Sequence, residues 1–265
     1  MAVTVEKLIK DFDLEVLVEG KSNEEINVSD VNRPGLQLSG FYNYFAKDRI
    51  QVIGKAEWSF LDDMQVEIRE KRLKKYFTFD MKCIVITRGL EPNKELIKYA
   101  KQKNVWILRT SLVTTKFISK LTMYMSDKLA PKTRLHGVLV DVYGIGILIT
   151  GESGIGKSEV ALELIKRGHR LVTDDAVDIK EIDGELIGSS PKITIGMLEV
   201  RGIGIIDVSA LYGLSSVLQQ KDIKLVMHFE YWEDDNDYDR LGTNYEYMDI
   251  LGTSVRKLTV PIRPG

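Results

Sequence analysis

The eight residues Gly151-Glu152-Ser153-Gly154-Ile155-Gly156-Lys157-Ser158 match the pattern G-x-x-x-x-G-K-[ST] in full. Glycines in such a loop let backbone N–H groups curl round phosphate oxygens without a Cβ in the way. The helix that follows adds partial positive charge at its N-terminus. Lys157 then reaches the β- and γ-phosphates of a nucleotide, and the Ser158 hydroxyl ligates Mg²⁺. The flanks agree with this reading. Ile147-Leu148-Ile149 has the character of a strand entering the loop, and Glu159 to Ile165 that of a helix leaving it.

Further along, the apolar run Arg170-Leu171-Val172-Thr173 ends in Asp174-Asp175. Paired carboxylates at a strand's end stand where α/β sheets hold ligands. One can serve a metal, directly or through water, while the other acts as a base towards an attacking group. Glu199 and Arg201 form a third cluster; strand alternation would put both on one side, opposite Leu198 and Val200. Metal plus phosphate suits them, and so does a plain surface ion pair. Glu230 to Asp239 is rich in carboxylates and reads as a solvated loop, with Arg240 just beyond it as a cation able to reach phosphate. His169 follows a helix and complements its C-terminal dipole. His228 sits in an apolar run and reads as structural, while the sequence alone leaves His136 open.

Several nucleotide-dependent classes are excluded. A guanine-reading N/T-K-x-D element is missing: Asn93-Lys94-Glu95-Leu96 fails the pattern and precedes the loop. The protein-kinase fold needs H-R-D-x-x-x-x-N and D-F-G, and His169-Arg170-Leu171 lacks the aspartate.

The elements that must position these groups fall into two sets. Val3 to Leu17 has helical spacing, with Leu14 to Val18 able to form a short strand instead. Gly20 to Gly35 reads as turns and loop, and Phe41, Tyr42 and Phe45 as one helical face. Arg49 to Gly54, Cys83 to Thr87 and Val105 to Leu108 read as strands. Glu67 to Tyr76, Asn93 to Lys103 and Ser111 to Leu129 read as helices, which makes a βαβ pattern. Apolar periodicity stops at Ala130-Pro131-Lys132-Thr133, the expected domain boundary. Strands Val138 to Val142 and Gly146 to Thr150 then lead into the phosphate loop.

Composition bounds the rest. With 37 Lys+Arg against 39 Asp+Glu the net charge is −2, which argues against a dedicated nucleic-acid binder. The N-terminus lacks a signal-peptide pattern, and apolar stretches fall far short of the ~18 residues of a membrane span. A cytoplasmic location is expected. The one cysteine, Cys83, lies in an apolar run and reads as a buried, inert thiol.

Taken together, these pieces resemble the bifunctional HPr kinase/phosphorylase family of bacteria. They are Gly151 to Ser158, Asp174-Asp175, Leu198-Glu199-Val200-Arg201-Gly202-Ile203-Gly204, Asp239-Arg240-Leu241-Gly242, Pro261-Ile262-Arg263-Pro264-Gly265 and Val31-Asn32-Arg33-Pro34-Gly35-Leu36. The resemblance implies an α/β chain, with a small N-terminal α/β domain over 1–130. A P-loop kinase domain of the carboxykinase-like type would follow over 131–265. It implies ATP- and Mg²⁺-dependent phosphorylation of a serine on HPr, a small phosphocarrier protein, in the control of carbon catabolite repression. Reversal by inorganic phosphate would release pyrophosphate. It further implies that His136, Lys157, Asp175 and Arg240 are catalytic, with Asp175 taking the serine proton. Ser158 and Glu199 would hold Mg²⁺, with Asp174 in a supporting metal role, and the chains would assemble as a homohexamer. Family members continue past Gly265 into a C-terminal helix used at the partner interface, and this chain is expected to lack it. Two other readings stand beside this one: a P-loop phosphotransferase acting on a small metabolite, and a nucleotide-sensing module without turnover.

Overall fold

A computed structural model describes residues 2–233 and 246–263. The chain divides into two compact units, Met1–Leu129 and Ala130–Gly265.

The first unit is built on a five-stranded sheet in the order Glu15–Val18, Trp106–Arg109, Cys83–Ile86, Ile50–Ile53, Val31–Asn32. The last four run parallel and Glu15–Val18 is antiparallel. Parallel strands are covered on both faces, which is why Ile50–Ile53 and Cys83–Ile86 are buried at every position. Helices Val5–Phe12 and Thr114–Leu129 cover one face through Val5, Leu8, Phe117, Leu121 and Met125. Helices Val66–Tyr76 and Lys94–Lys103 cover the other through Leu73, Tyr76, Leu96 and Ala100. Burial pushes the Cys83 thiol up to about 12, so it is inert in the folded chain.

One expectation fails here for local reasons. Phe41, Tyr42 and Phe45 are not on a helix. Gly40, at φ +101°, ends the short helix Gly35–Ser39, and Tyr44 is itself left-handed at φ +59°. The aromatics instead form a cluster, with Tyr42 stacked on Phe79 at 4.9 Å and Phe45 edge-on to it at 5.2 Å. Conversely, Lys55–Asp62 is a helix that the sequence pattern did not reveal. It is anchored by Leu61 and by Glu57, which turns back to accept from Gly54 N at 3.0 Å.

The second unit is a nine-stranded mixed sheet. Its path runs Arg170–Thr173, Val138–Val142, Ile145–Gly151, Gln220–Tyr231, Glu185–Ser189, Ala176–Ile182, Lys132–His136, with Thr253–Ile262 joining beside Gln220–Tyr231 and Glu246–Ile250 beside Thr253–Ile262. Ile145–Gly151, Gln220–Tyr231 and Thr253–Ile262 are parallel, so their carboxyl ends lie together. Helix Lys157–Lys166 packs on one face through Ala161 and Ile165. A separate antiparallel pair, Met197–Val200 with Gly204–Asp207, packs on that same core through Leu198, Val200 and Ile206. Glu230 belongs to the strand Gln220–Tyr231, not to the acidic loop expected there, because the ladder to Thr253–Ile262 runs on to Tyr231. The carboxylates from Asp234 to Asp239, and Arg240 with them, lie outside the described residues.

Candidate active site

The strand Ile145–Gly151 and the helix Lys157–Lys166 are joined by a loop that needs glycine at three points. Gly151, Gly154 and Gly156 have φ of +139°, +88° and +105°, the region side chains disfavour. At Gly151 a Cβ would also stand 2.5 Å from the Phe229 carbonyl on the neighbouring strand. Ile155 is buried in the core and pins the loop's apex. Gly156 is the N-cap of the helix and offers no side chain to its first N–H groups. Lys157 bends back over the loop, donating from Nζ to the Gly151 and Glu152 carbonyls at 3.0 and 2.8 Å.

Asp174 and Asp175 are neighbours with opposite fates. Asp174 is buried: its Oδ1 accepts from Ser158 Oγ and its Oδ2 from Glu199 N, both at 2.9 Å. One carboxylate thus ties the phosphate loop to the strand Met197–Val200. Burial pushes the Asp174 carboxyl up, against the hydrogen bonds from Glu199 N and Ser158 that favour its charge. Asp175 takes a left-handed φ of +64°, and its side chain is 81% exposed. The turn is held by Ala176 N to the Asp174 carbonyl at 2.8 Å and Thr173 Oγ1 to the Ala176 carbonyl at 2.9 Å.

His136 reaches Asp175 across the sheet. Antiparallel pairing places His136 opposite Ala176, and its Nδ1 lies 3.6 Å from Asp175 Oδ1. Glu199, Arg201, Asp174, Asp175, Lys157 and Ser158 share one cavity of about 190 Å³ with Ser153, Gly154, Gly156 and Glu159. His136 lines a neighbouring cavity of about 430 Å³ together with Thr150 and His228, which share a 2.9 Å hydrogen bond. His169, by contrast, is buried at the far end of the helix, edge-on to Tyr143 at 4.5 Å.

One expected placement is corrected. The strand ends at Val200, so Arg201 stands in the turn Arg201 to Ile203 and not beside Glu199 on a strand. From the turn its guanidinium covers the phosphate loop, where a Cβ at Gly154 would meet Nη2 at 2.2 Å. Glu159 was not singled out from the sequence and had no motif to reveal it. Of the residues expected to be catalytic, phosphate-binding or metal-holding, Arg240 falls outside the described part of the chain.

The donor set suits a hard divalent cation. Ser158, Asp174 and Glu199 offer only oxygen, and a buried carboxyl pushed up by desolvation gains from a cation brought beside it. Among the described residues no three His, Cys, Asp or Glu side chains converge as a ready-made metal cage.

Residues 3–125 match the HPr serine kinase N-terminus and residues 127–265 the HPr serine kinase C-terminal domain. The chain belongs to the HPr serine kinase family. It is 76% identical to the HPr kinase/phosphorylase of Clostridium beijerinckii over all 265 residues, which span 88% of that protein. It is 75% identical to that of Clostridium perfringens SM101 and 66% to that of Clostridium kluyveri, spanning all of this chain and 86% of each. Among solved structures, the HPr(Ser) kinase/phosphatase of Coxiella burnetii aligns over 49% of this chain and 86% of its own at 41% identity, with a TM-score of 0.47. No helix among the described residues is long and apolar enough to cross a membrane.

Proposed function

We propose that this HPr serine kinase family chain phosphorylates a serine of HPr with ATP and reverses the transfer by phosphorolysis. The observation that carries this reading is the uncapped N-terminus at Gly156 with Lys157, Ser158, Asp174 and Asp175 on one cavity. The N–H groups of the loop and helix start bind the nucleotide's phosphates, and Lys157 swings from its two carbonyls onto the β/γ oxygens. Ser158, Glu199 and Asp174 hold Mg²⁺, which when bound neutralises charge on the phosphate oxygens.

Asp175 accepts the serine proton as the serine oxygen attacks the γ-phosphorus, and the bond to the β-phosphate oxygen breaks to release ADP. His136, at 3.6 Å, orients the Asp175 carboxylate. In reverse, inorganic phosphate attacks the phosphoserine phosphorus, the serine–phosphorus bond breaks, and protonated Asp175 returns its proton to the serine oxygen. Pyrophosphate leaves. Arg201 and, beyond the described residues, Arg240 supply positive charge to the transferring group. The active assembly is a homohexamer in the cytoplasm.

The test is incubation of serine-phosphorylated HPr with inorganic phosphate. Pyrophosphate should form with the wild type and fall by about 10²-fold or more in Asp175→Asn. Transfer to a small metabolite in place of HPr would move the assignment to a metabolite phosphotransferase. Tight ATP binding without any product would move it to a nucleotide sensor.

A further inference from the structure

The phosphate loop is anchored at its apex by buried Ile155 and at its exit by the Ser158–Asp174 hydrogen bond. Its entry rests on the neighbouring parallel strand, Gln220–Tyr231. There Gly151 stands opposite Phe229, whose carbonyl leaves no room for a Cβ, and Thr150 stands opposite His228. Two residues earlier the same face of both strands is apolar: Leu148 and Val226 stand opposite each other, fully buried in the core. The other face stays apolar up to the loop, through Ile149 and Phe229. At the last rung before the loop, then, both strands turn from aliphatic to polar on one face. Thr150 Oγ1 and His228 Nδ1 share a hydrogen bond of 2.9 Å there. The polar row runs on across the sheet. Thr259 stands opposite His228 on the next strand and donates from Oγ1 to Glu246 at 3.3 Å, and Lys257 pairs with the same carboxylate at 3.0 Å.

We infer that His228 is a positioning residue for nucleotide binding: through the Thr150 hydroxyl it fixes where the chain leaves the sheet and enters the phosphate loop. The inference rests on the proposed reading of that loop as the nucleotide site. Gly151, at φ +139°, turns the chain into the loop but has no side chain by which it can be held. Thr150 is therefore the last residue before the turn that a side-chain bond can pin. The Gly151 carbonyl is also one of the two that accept from Lys157 Nζ, at 3.0 Å, so the setting of Gly151 fixes the place from which Lys157 reaches for phosphate. An imidazole suits the task because Nδ1 bonds a hydroxyl whether or not it carries the proton: it donates in one case and accepts in the other. Loss of the bond frees the loop's entry while its apex and exit stay anchored. Nucleotide binding weakens, and the groups around the transferring phosphate are unchanged.

The experiment compares wild type with His228→Leu, Thr150→Val, the double variant and His228→Asn. It measures the affinity for a fluorescent ATP analogue, and the KM for Mg·ATP and kcat for transfer to HPr. Both residues border the cavity of about 430 Å³, so water can reach a polar group left without its partner and the variants should fold. Circular dichroism checks that, and Thr150→Val, which keeps the shape of the side chain, decides the matter if His228→Leu does not fold. Each of these two should weaken analogue binding and raise the KM for Mg·ATP about three- to tenfold, with kcat within twofold of wild type. The double variant should do no more than either one, because both remove the same bond. His228→Asn, whose amide stands where Nδ1 does, should return both values to within twofold of wild type. A KM and an affinity within twofold of wild type in Thr150→Val overturn the inference. So do additive losses in the double variant, or a fall in kcat at unchanged KM, which loss of folded enzyme alone would give. If the wild type binds the analogue but transfers nothing to HPr, the kinase reading fails and the affinities alone decide the role of His228. If the wild type binds no nucleotide, both fall.

Discussion

Each unit contains a parallel strand that runs through a glycine into a helix, and the two junctions are finished in opposite ways. In the first unit, Ile50–Ile53 passes through Gly54 into Lys55–Asp62. There Glu57 accepts from Gly54 N at 3.0 Å and from Arg33 Nη2 at 2.8 Å. A carboxylate and its own cation are built into the helix start. In the second unit, Ile145–Gly151 passes through the loop to Gly156 and Lys157–Lys166 with no side-chain cap. The buried carboxylate there, Asp174, has hydrogen-bond donors in Ser158 and Glu199 N and, among the described residues, no cationic side chain paired with it. Burial raises both carboxyls. At Glu57 the Arg33 bond and backbone N–H groups outweigh burial and hold it below the usual range, whereas at Asp174 burial wins. The same secondary structure is thus capped by a side chain in one unit and left without one in the other, where we propose that phosphate and metal bind.

The largest effect that could break this comparison is on catalysis. Lys157→Ala should lower transfer from [γ-³²P]ATP to HPr by on the order of 10³-fold, because in the proposed reaction Lys157 meets the transferring phosphate directly. Among the described residues its Nζ donates to two loop carbonyls and to no carboxylate, so the melting temperature should change little. Equal loss of stability and activity would mean the loop is merely structural.

A smaller effect sharpens the contrast through pH. Glu57, with a lowered carboxyl, contributes stability that is present above its unfolded value of 4.5 and lost as pH falls through the lowered one. Asp174, with a raised carboxyl, contributes in the opposite sense. Its stability is greatest in acid and is lost as pH rises from the unfolded value of 3.8 through the raised one. Denaturant titrations across pH should therefore find that Glu57→Gln flattens the acid limb, at a cost of about 1 kcal/mol near neutrality. Asp174→Asn should remove the opposing slope. Mg²⁺ should stabilise the wild type at pH 7 more than Asp174→Asn, and equal stabilisation would contradict the metal role.

What the sequence made legible follows from how local each feature is. The phosphate loop is contiguous, so its eight residues and the glycines required by positive φ could be read directly. Asp174-Asp175 could be read as a pair, but not their division into a buried tether and an exposed carboxylate. That division depends on the left-handed backbone at Asp175 and on a hydrogen bond from a residue twenty-five positions away, Glu199. His136 gained a partner only through strand register, which no spacing in the sequence encodes. The helix Lys55–Asp62 has only two buried positions, Glu57 and Leu61, too few for a periodic signal. The aromatic trio at Phe41, Tyr42 and Phe45 had helical spacing, yet Gly40 and Tyr44 bent the chain away from it.

The most direct measurement of the contrast is hydrogen–deuterium exchange with and without Mg·ATP. Protection should concentrate on residues 151–158 and 174–175, leaving residues 54–57 exchanging as before. Protection at 54–57, or none at 151–158, would contradict the assignment of the open junction as the nucleotide site.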